Sequence, residues 1–227
     1  MTPVIVLTLK VGLVSTALTL PVAFALAFAL ARGRFPGKLL LDGVVHLPLV
    51  VPPVVTGWVL LMLFAPAGPL GRLLALGGTT VLFRWTGGAI AAGVMALPLM
   101  VRAIRLSLEA VDRRLEEAAQ TLGAERARVF RTVTLPLSLP GVLAGAMLGF
   151  ARGIGEFGAT ITFVSSVPGE TETLPLAIYA ALQRPGGEAM AWRLAAASVA
   201  LSLAALLASE LLAQSYHGRQ GGRAHVL

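Results

Sequence analysis

Five stretches of the chain are apolar for long enough to cross about 30 Å of hydrocarbon, which takes roughly 20 residues of helix. Residues 11–31 form the first. Residues 39–64 form the second, interrupted by Pro48, Pro52 and Pro53. Residues 89–104 are the third and contain Pro98; residues 140–157 are the fourth and carry Arg152 and Glu156. Residues 194–212 are the fifth, charged only at Glu210 near the end. Between the last two, residues 161–167 are mostly β-branched, and Pro168, Gly169, Glu170 and Glu172 break the run. Residues 174–182 have length for only about two turns of helix. The segment 159–184 therefore reads as a structured external loop or a re-entrant piece, not a sixth crossing. The pattern predicts an all-α integral membrane protein of about five transmembrane helices, one transmembrane domain over residues 1–227.

Residues 108–136 hold the longest polar stretch, and its pattern is too regular for a random linker. Asp112 is a good N-cap, and Leu115, Ala118, Ala119 and Leu122 follow at the i, i+3, i+4, i+7 spacing of an amphipathic helix. Gly123 stands where such a helix stops, in a position suited to positive φ. A second short helix fits residues 124–133, with Ala127, Phe130 and Val133 on one side, and Leu135 and Pro136 close it and open the fourth crossing. A helix–turn–helix of this kind either packs on the protein's own helix ends, rests on lipid headgroups, or presents small and apolar side chains to a partner.

Composition supports the membrane reading. Hydrophobic residues make up 56% of the 227 residues and charged residues 13%, against about 45–50% and about 25% in a soluble domain. The net charge of +7 matters here through its position, not as a nucleic-acid surface, and no nucleic acid is expected as a partner. One set of loops collects Arg32, Arg34, Lys38, Arg102, Arg105, Arg113, Arg114, Arg126, Arg128, Arg131, Arg219 and Arg223, twelve in all; the other holds only Lys10, Arg72, Arg84, Arg184 and Arg193. The basic side is expected in the cytoplasm, with the N-terminus outside and the C-terminus inside. The first stretch is too long, and lacks the basic lead, for a cleaved signal peptide.

The chemistry that is missing narrows the function. There is no Cys, hence no disulfide framework, Cys-ligated zinc or thiol nucleophile. Gly33 to Lys38 (GRFPGK) has one spacer too few for a phosphate loop and Leu39 where Ser or Thr is needed. His46, His217 and His225 have no metal-ligand spacing, and no residue set reads as catalytic. Energy-driven work by this chain needs a partner to hydrolyse ATP.

Glu117-Ala118-Ala119, three residues, Gly123, nine residues, then Val133-Thr134-Leu135-Pro136 resembles the EAA loop of ABC importer permeases. Only Val133, where Ile is commoner, departs slightly. Within that family the chain is similar to the molybdate branch, through residues 46–55 (HLPLVVPPVV), 97–112 (LPLMVRAIRLSLEAVD), 150–164 (FARGIGEFGATITFV) and 168–179 (PGETETLPLAIY). The resemblance implies the MetI-like ABC permease fold and a permease of the bacterial cytoplasmic (inner) membrane. It implies that Glu117, Ala118, Ala119 and Gly123, with Phe130, Val133, Leu135 and Pro136, couple the chain to a cytoplasmic ATPase that itself binds ATP and Mg. It further implies a second copy of the chain and an external oxyanion-binding protein, with molybdate as cargo and tungstate or sulfate as alternatives.

Within the bilayer, Gly141, Gly145, Gly149 and Gly153 recur every fourth residue, a face that lets another helix approach closely, either inside one subunit or at a sliding or dimer interface. Arg152 and Glu156 stand one turn apart and are either a structural pair or a contribution to anion passage. Pro48, Pro52 and Pro53 must disturb the second crossing, as a kink beside the pathway or a packed, static one. Asp42 and His46 read as a local polar contact. A secondary carrier would need inverted repeats, which are not seen, and an intramembrane enzyme would need a nucleophile–base set, which Arg152 and Glu156 do not make.

Overall fold

The computed structural model describes residues 1–221; Arg223 and His225 of the basic tail, and the side chains of Glu210, His217 and Arg219, lie outside the described residues. The described chain is helical and contains no strand. Helix α1 (Thr2–Arg32) is followed by α2 (Lys38–Val50), α3 (Pro53–Phe64), α4 (Pro69–Leu76) and α5 (Trp85–Ala110). The short α6 (Arg113–Thr121) and α7 (Arg126–Val129) lead through a π turn at Phe130–Thr134 into α8 (Leu135–Ile154). Then come α9 (Gly158–Val164), α10 (Leu174–Leu182) and α11 (Glu188–Gly221).

Helix α5 is the centre of the bundle. In its most apolar stretch 56% of residues are buried, against 22% in α1 and 28% in the helix ending at Ile154. Its Ala96, Met100, Val101, Ile104 and Leu108 pack against Ala23, Ala27 and Leu30 of α1 and Val45 of α2. In the first half of α5 the buried residues are mostly small, Gly87, Gly88, Ala89, Ala91, Ala92, Gly93 and Ala96, because no water-driven force pulls helices together in hydrocarbon and close packing must do it.

Two contacts fix the relative direction of α1 and α5. Arg32, the last residue of α1, pairs with Glu116 of α6, just beyond α5. At the far end, Lys10 of α1 lies over the ring of Trp85, the first residue of α5. Helices α1 and α5 thus run the same way, and the segment between them must return the chain from one end to the other. Helices α2 and α3 do this, although they meet at 115° across Val51 and Pro52. The kink expected within residues 39–64 is a full break, because Pro52 has no N–H to continue the ladder and Pro53 is better placed as the first residue of a new helix.

Other limits also shift. Helix α1 begins at Thr2 instead of residue 11, since Lys10 finds the Trp85 ring, 3.6 Å from its centroid, and does not break the helix. Helix α8 ends at Ile154, so Glu156 lies past it and not within the crossing. The segment 159–184 divides in two. Helix α9 inserts between α3 and α5, with Ala159, Phe163 and Val164 buried against Leu60, Ala91 and Met95. Helix α10 instead lies at the start of α1, where the Leu174 N–H donates to Thr8 Oγ1 at 2.8 Å and the helix packs with α11, Val4 and Ile5.

Candidate functional site: the hairpin at one end of the bundle

Asp112 caps α6 as its sequence position suggests, accepting from the Arg114 N–H at 2.9 Å. Gly123 has φ +86°. Its N–H donates to the Gln120 carbonyl at 2.9 Å and the next N–H, of Ala124, to the Ala119 carbonyl at 3.0 Å. These two bonds form a Schellman motif, with Ala119 and Ala124 as its apolar pair. Of the expected stripe, Ala119 is half-buried under this turn, whereas Ala118 is exposed. Leu115 is 50% and Leu122 89% exposed. The stripe therefore faces away from the protein's own helix ends.

The second half of the loop anchors the first. Phe130 meets Phe28 and Phe24 of α1 edge-on, with ring centroids 5.5 and 6.1 Å apart. Val129 and Thr134 are buried, Val133 and Leu135 half-buried and Pro136 exposed. The expected stop at Leu135 and Pro136 does not occur. The chain continues as helix through the π turn, in which the Leu135 N–H reaches the Phe130 carbonyl. In a regular α turn the Pro136 ring would press on the Thr132 carbonyl; the wider π turn relieves this and lets Pro136 stay helical.

Glu117 is exposed and makes no hydrogen bond among the described residues. Its neighbour Glu116, not singled out by the sequence, is the organising carboxylate. Glu116 Oε1 accepts from Arg32 Nη2 at 3.0 Å and from Thr134 Oγ1 at 2.7 Å, joining α1, α6 and the π turn. No local pattern marks a partner 84 positions away. Arg32, Arg113, Gln120, Arg126 and Phe130 line a groove of about 480 Å³ beside this junction. A second polar tie sits nearby, where Arg105 Nη1 donates to both Asp42 carboxylate oxygens at 3.1 and 3.2 Å and Nε donates to Glu109 at 2.8 Å. Asp42 thus reaches α5, beyond its contact with His46.

The glycine stripe is internal to the subunit. A Cβ on Gly141 would lie 2.1 Å from Ser107 Cβ, on Gly149 2.5 Å from Met100 Sδ, and on Gly145 3.0 Å from Ile104, all on α5. Gly153 meets Ser15 of α1. This face is spent on α5 and α1 and is not open to a second copy. Arg152 and Glu156 form an ion pair. The Glu156 side chain is buried, and its Oε1 accepts from the Ala159 N–H at 2.9 Å, capping α9. Pro48 lies inside α2, with Pro52 and Pro53 at the bend.

A bundle of crossings with a capped, outward-facing hairpin at one end is the architecture of a membrane permease. The chain belongs to the family described as binding-protein-dependent transport system inner membrane component, whose model matches residues 20–218. It is 54% identical over 218 residues, 96% of this chain and 95% of the relative, to the molybdenum transport system permease protein ModB of Escherichia coli strain K12. It is 53% identical over 216 residues to ModB of Haemophilus influenzae, covering 95% of this chain and 94% of that one. The sulfate transport system permease protein CysT of Salmonella typhimurium is 40% identical over 179 residues, 78% of this chain and 65% of that protein. Among solved structures, a bacterial ABC transporter that imports the polysaccharide alginate superposes with TM-score 0.76 over 94% of this chain and 79% of that one, at 17% identity. The inward-facing methionine transporter MetNI gives 0.68 over 94% and 93%, also at 17%. These likenesses establish the MetI-like permease fold.

Proposed function

We propose that this chain is the membrane-spanning subunit of an ATP-driven importer that carries molybdate across the bacterial cytoplasmic membrane. The hairpin is the observation that carries the mechanism. It leaves Leu115, Ala118 and Leu122 exposed on a helix whose base is tied to α1 and to the π turn. That is a docking surface fixed to the crossings, where Glu117, Ala118, Ala119 and Gly123 meet a separate cytoplasmic ATPase. Phe130, Val133, Leu135 and Pro136 pass its movement into α8. The ATPase, not this chain, holds ATP and Mg. A second copy completes the pathway, and an external binding protein delivers the anion; the hairpin end is cytoplasmic and the Lys10 end external. Molybdate is favoured over sulfate because the sulfate relatives match less of the chain and at lower identity.

Reconstitution with the ATPase and binding protein in vesicles tests this. Molybdate should accumulate only with ATP, and the purified chain alone should not hydrolyse ATP. In Ala118→Trp, a large side chain on the exposed stripe should separate ATP hydrolysis from uptake or detach the ATPase. Wild-type uptake in that variant would remove the stripe from the docking surface.

A further inference from the structure

At the end of the bundle opposite the hairpin, a cavity of about 730 Å³ opens between the start of α1, the segment before α5 and the loop after α9. Lys10, Arg84, Trp85 and Glu170 line it, with the threonines Thr79, Thr80 and Thr86. Among the described residues, neither Lys10 nor Arg84 makes an ion pair. Lys10 Nζ instead rests on the Trp85 ring. Arg84 follows Phe83, whose φ of 55° is strained for an aromatic residue.

Two cations without a carboxylate partner, beside hydroxyl donors in an open cavity, match the needs of a tetrahedral oxyanion: charge and several hydrogen-bond donors. We propose that this cavity is an external capture site for a tetrahedral dianion, held by Lys10 and Arg84, with Glu170 as a counter-charge that keeps the binding weak. The proposal rests on the anion-import reading and adds a place where the anion waits after leaving its binding protein. Weak binding suits that role, because a deep well would slow onward passage. The anion draws Lys10 off the Trp85 ring, so the site reports its own occupancy.

The full-length chain with Trp58→Phe and Trp192→Phe leaves Trp85 as its only tryptophan. Its fluorescence is followed in detergent micelles as sodium molybdate, tungstate or sulfate is added, with sodium chloride at equal ionic strength as reference. A saturable change with the dianions and not with chloride is expected. Arg84→Gln should raise the half-saturating concentration about fivefold, the scale of one lost charge-assisted contact. Arg84→Lys should restore most of it, and Glu170→Gln should lower it. No change, or the same change with chloride, overturns the proposal, as does an Arg84→Gln response equal to the parent's. A response seen in micelles and in phosphatidylcholine liposomes but lost in phosphatidylglycerol liposomes assigns the cavity to lipid phosphate and also overturns it. The import reading is measured separately, as ATP-dependent molybdate uptake by the wild-type assembly. Uptake with a silent Trp85 removes this site alone; a responsive Trp85 without uptake removes the import reading alone.

Discussion

Glu116 holds the hairpin through a single oxygen that serves Arg32 and Thr134 together. Hydrogen bonds to a charged group contribute about 1.5–3 kcal/mol each, and the Arg32 and Glu116 side chains are only 14% and 19% exposed. Glu116→Ala should therefore lower the unfolding temperature of the chain in detergent and weaken ATPase copurification, while the exposed Glu117→Ala leaves the unfolding temperature unchanged. Equal effects on stability would contradict the assignment of the structural role to Glu116. Gly123 isolates a different cause. No atom lies within 4 Å of where its Cβ would stand, so substitution meets only the backbone penalty of φ +86°, about 1–3 kcal/mol for an unsuitable residue. Gly123→Val should reduce ATPase association with normal membrane abundance, whereas Gly123→Asn, tolerant of that conformation, should stay near wild type. For the Arg152–Glu156 pair, Arg152→Met leaves the buried Glu156 without its countercharge and should lower folded protein in the membrane. Adding Glu156→Gln, which keeps an acceptor for the Ala159 N–H, should restore part of it. Unchanged abundance with lost uptake would instead favour a role for Arg152 in the pathway.

Helix α6 was legible because every signal that makes it is local: Asp112, the four-residue stripe and Gly123 all lie within twelve positions. The helix ends that moved depend on tertiary partners. A hydropathy window stops at Lys10, but the helix does not, because an aromatic ring 75 positions later receives the charge. The spacing of Gly141, Gly145, Gly149 and Gly153 announced a close approach without naming the neighbour; only the fold puts Ser107, Ile104 and Met100 of α5 against it. Leu135-Pro136 looked like a stop because the rule for proline assumes an α turn, and the π turn removes that assumption. The seam between α5 and α8 has a graded expectation. Gly141→Val faces Ser107 Cβ, close to the α5 backbone, and should strongly reduce folded protein. Gly149→Ala faces the flexible end of Met100 and should cost less, within the 1–3 kcal/mol typical of overpacking. Abundance by in-gel detection of a tagged chain distinguishes them.

At the scale of the whole molecule, α1, α5 and the helix ending at Ile154 are long and apolar enough to cross a membrane, and the bent α2–α3 pair brings the number to four among the described residues. The expected fifth crossing, residues 194–212, runs into residues whose side chains are not described. A periplasm-sensitive reporter fused after Thr2 or within residues 168–172 should read outside, and one placed on the hairpin beside Gly123 inside. A hairpin reporter reading outside would reverse the assignment of both ends. The surface beyond the bundle is uneven. Leu39, Leu40, Val44, Leu47 and Val50 of α2 are exposed, and Val45 is the one residue buried on that helix. By contrast α1, α5 and α8 interlock through glycines and alanines with no slack between them.

That contrast gives the molecule a stiff part and a compliant part. The distance along α1 from Lys10 to Arg32 is about 33 Å at 1.5 Å per residue. A block of that length pivoting by about 10° swings its far end by about 6 Å, close to the rise of one turn of helix. In the importer proposed above, a push on the hairpin would reach Lys10 and Trp85 as a sideways displacement, not as a wave of local rearrangements. In that importer the bend at Val51 and Pro52 would absorb the stroke, since α2 is held to the block by Val45, the half-buried Leu41 and the Asp42–Arg105 tether.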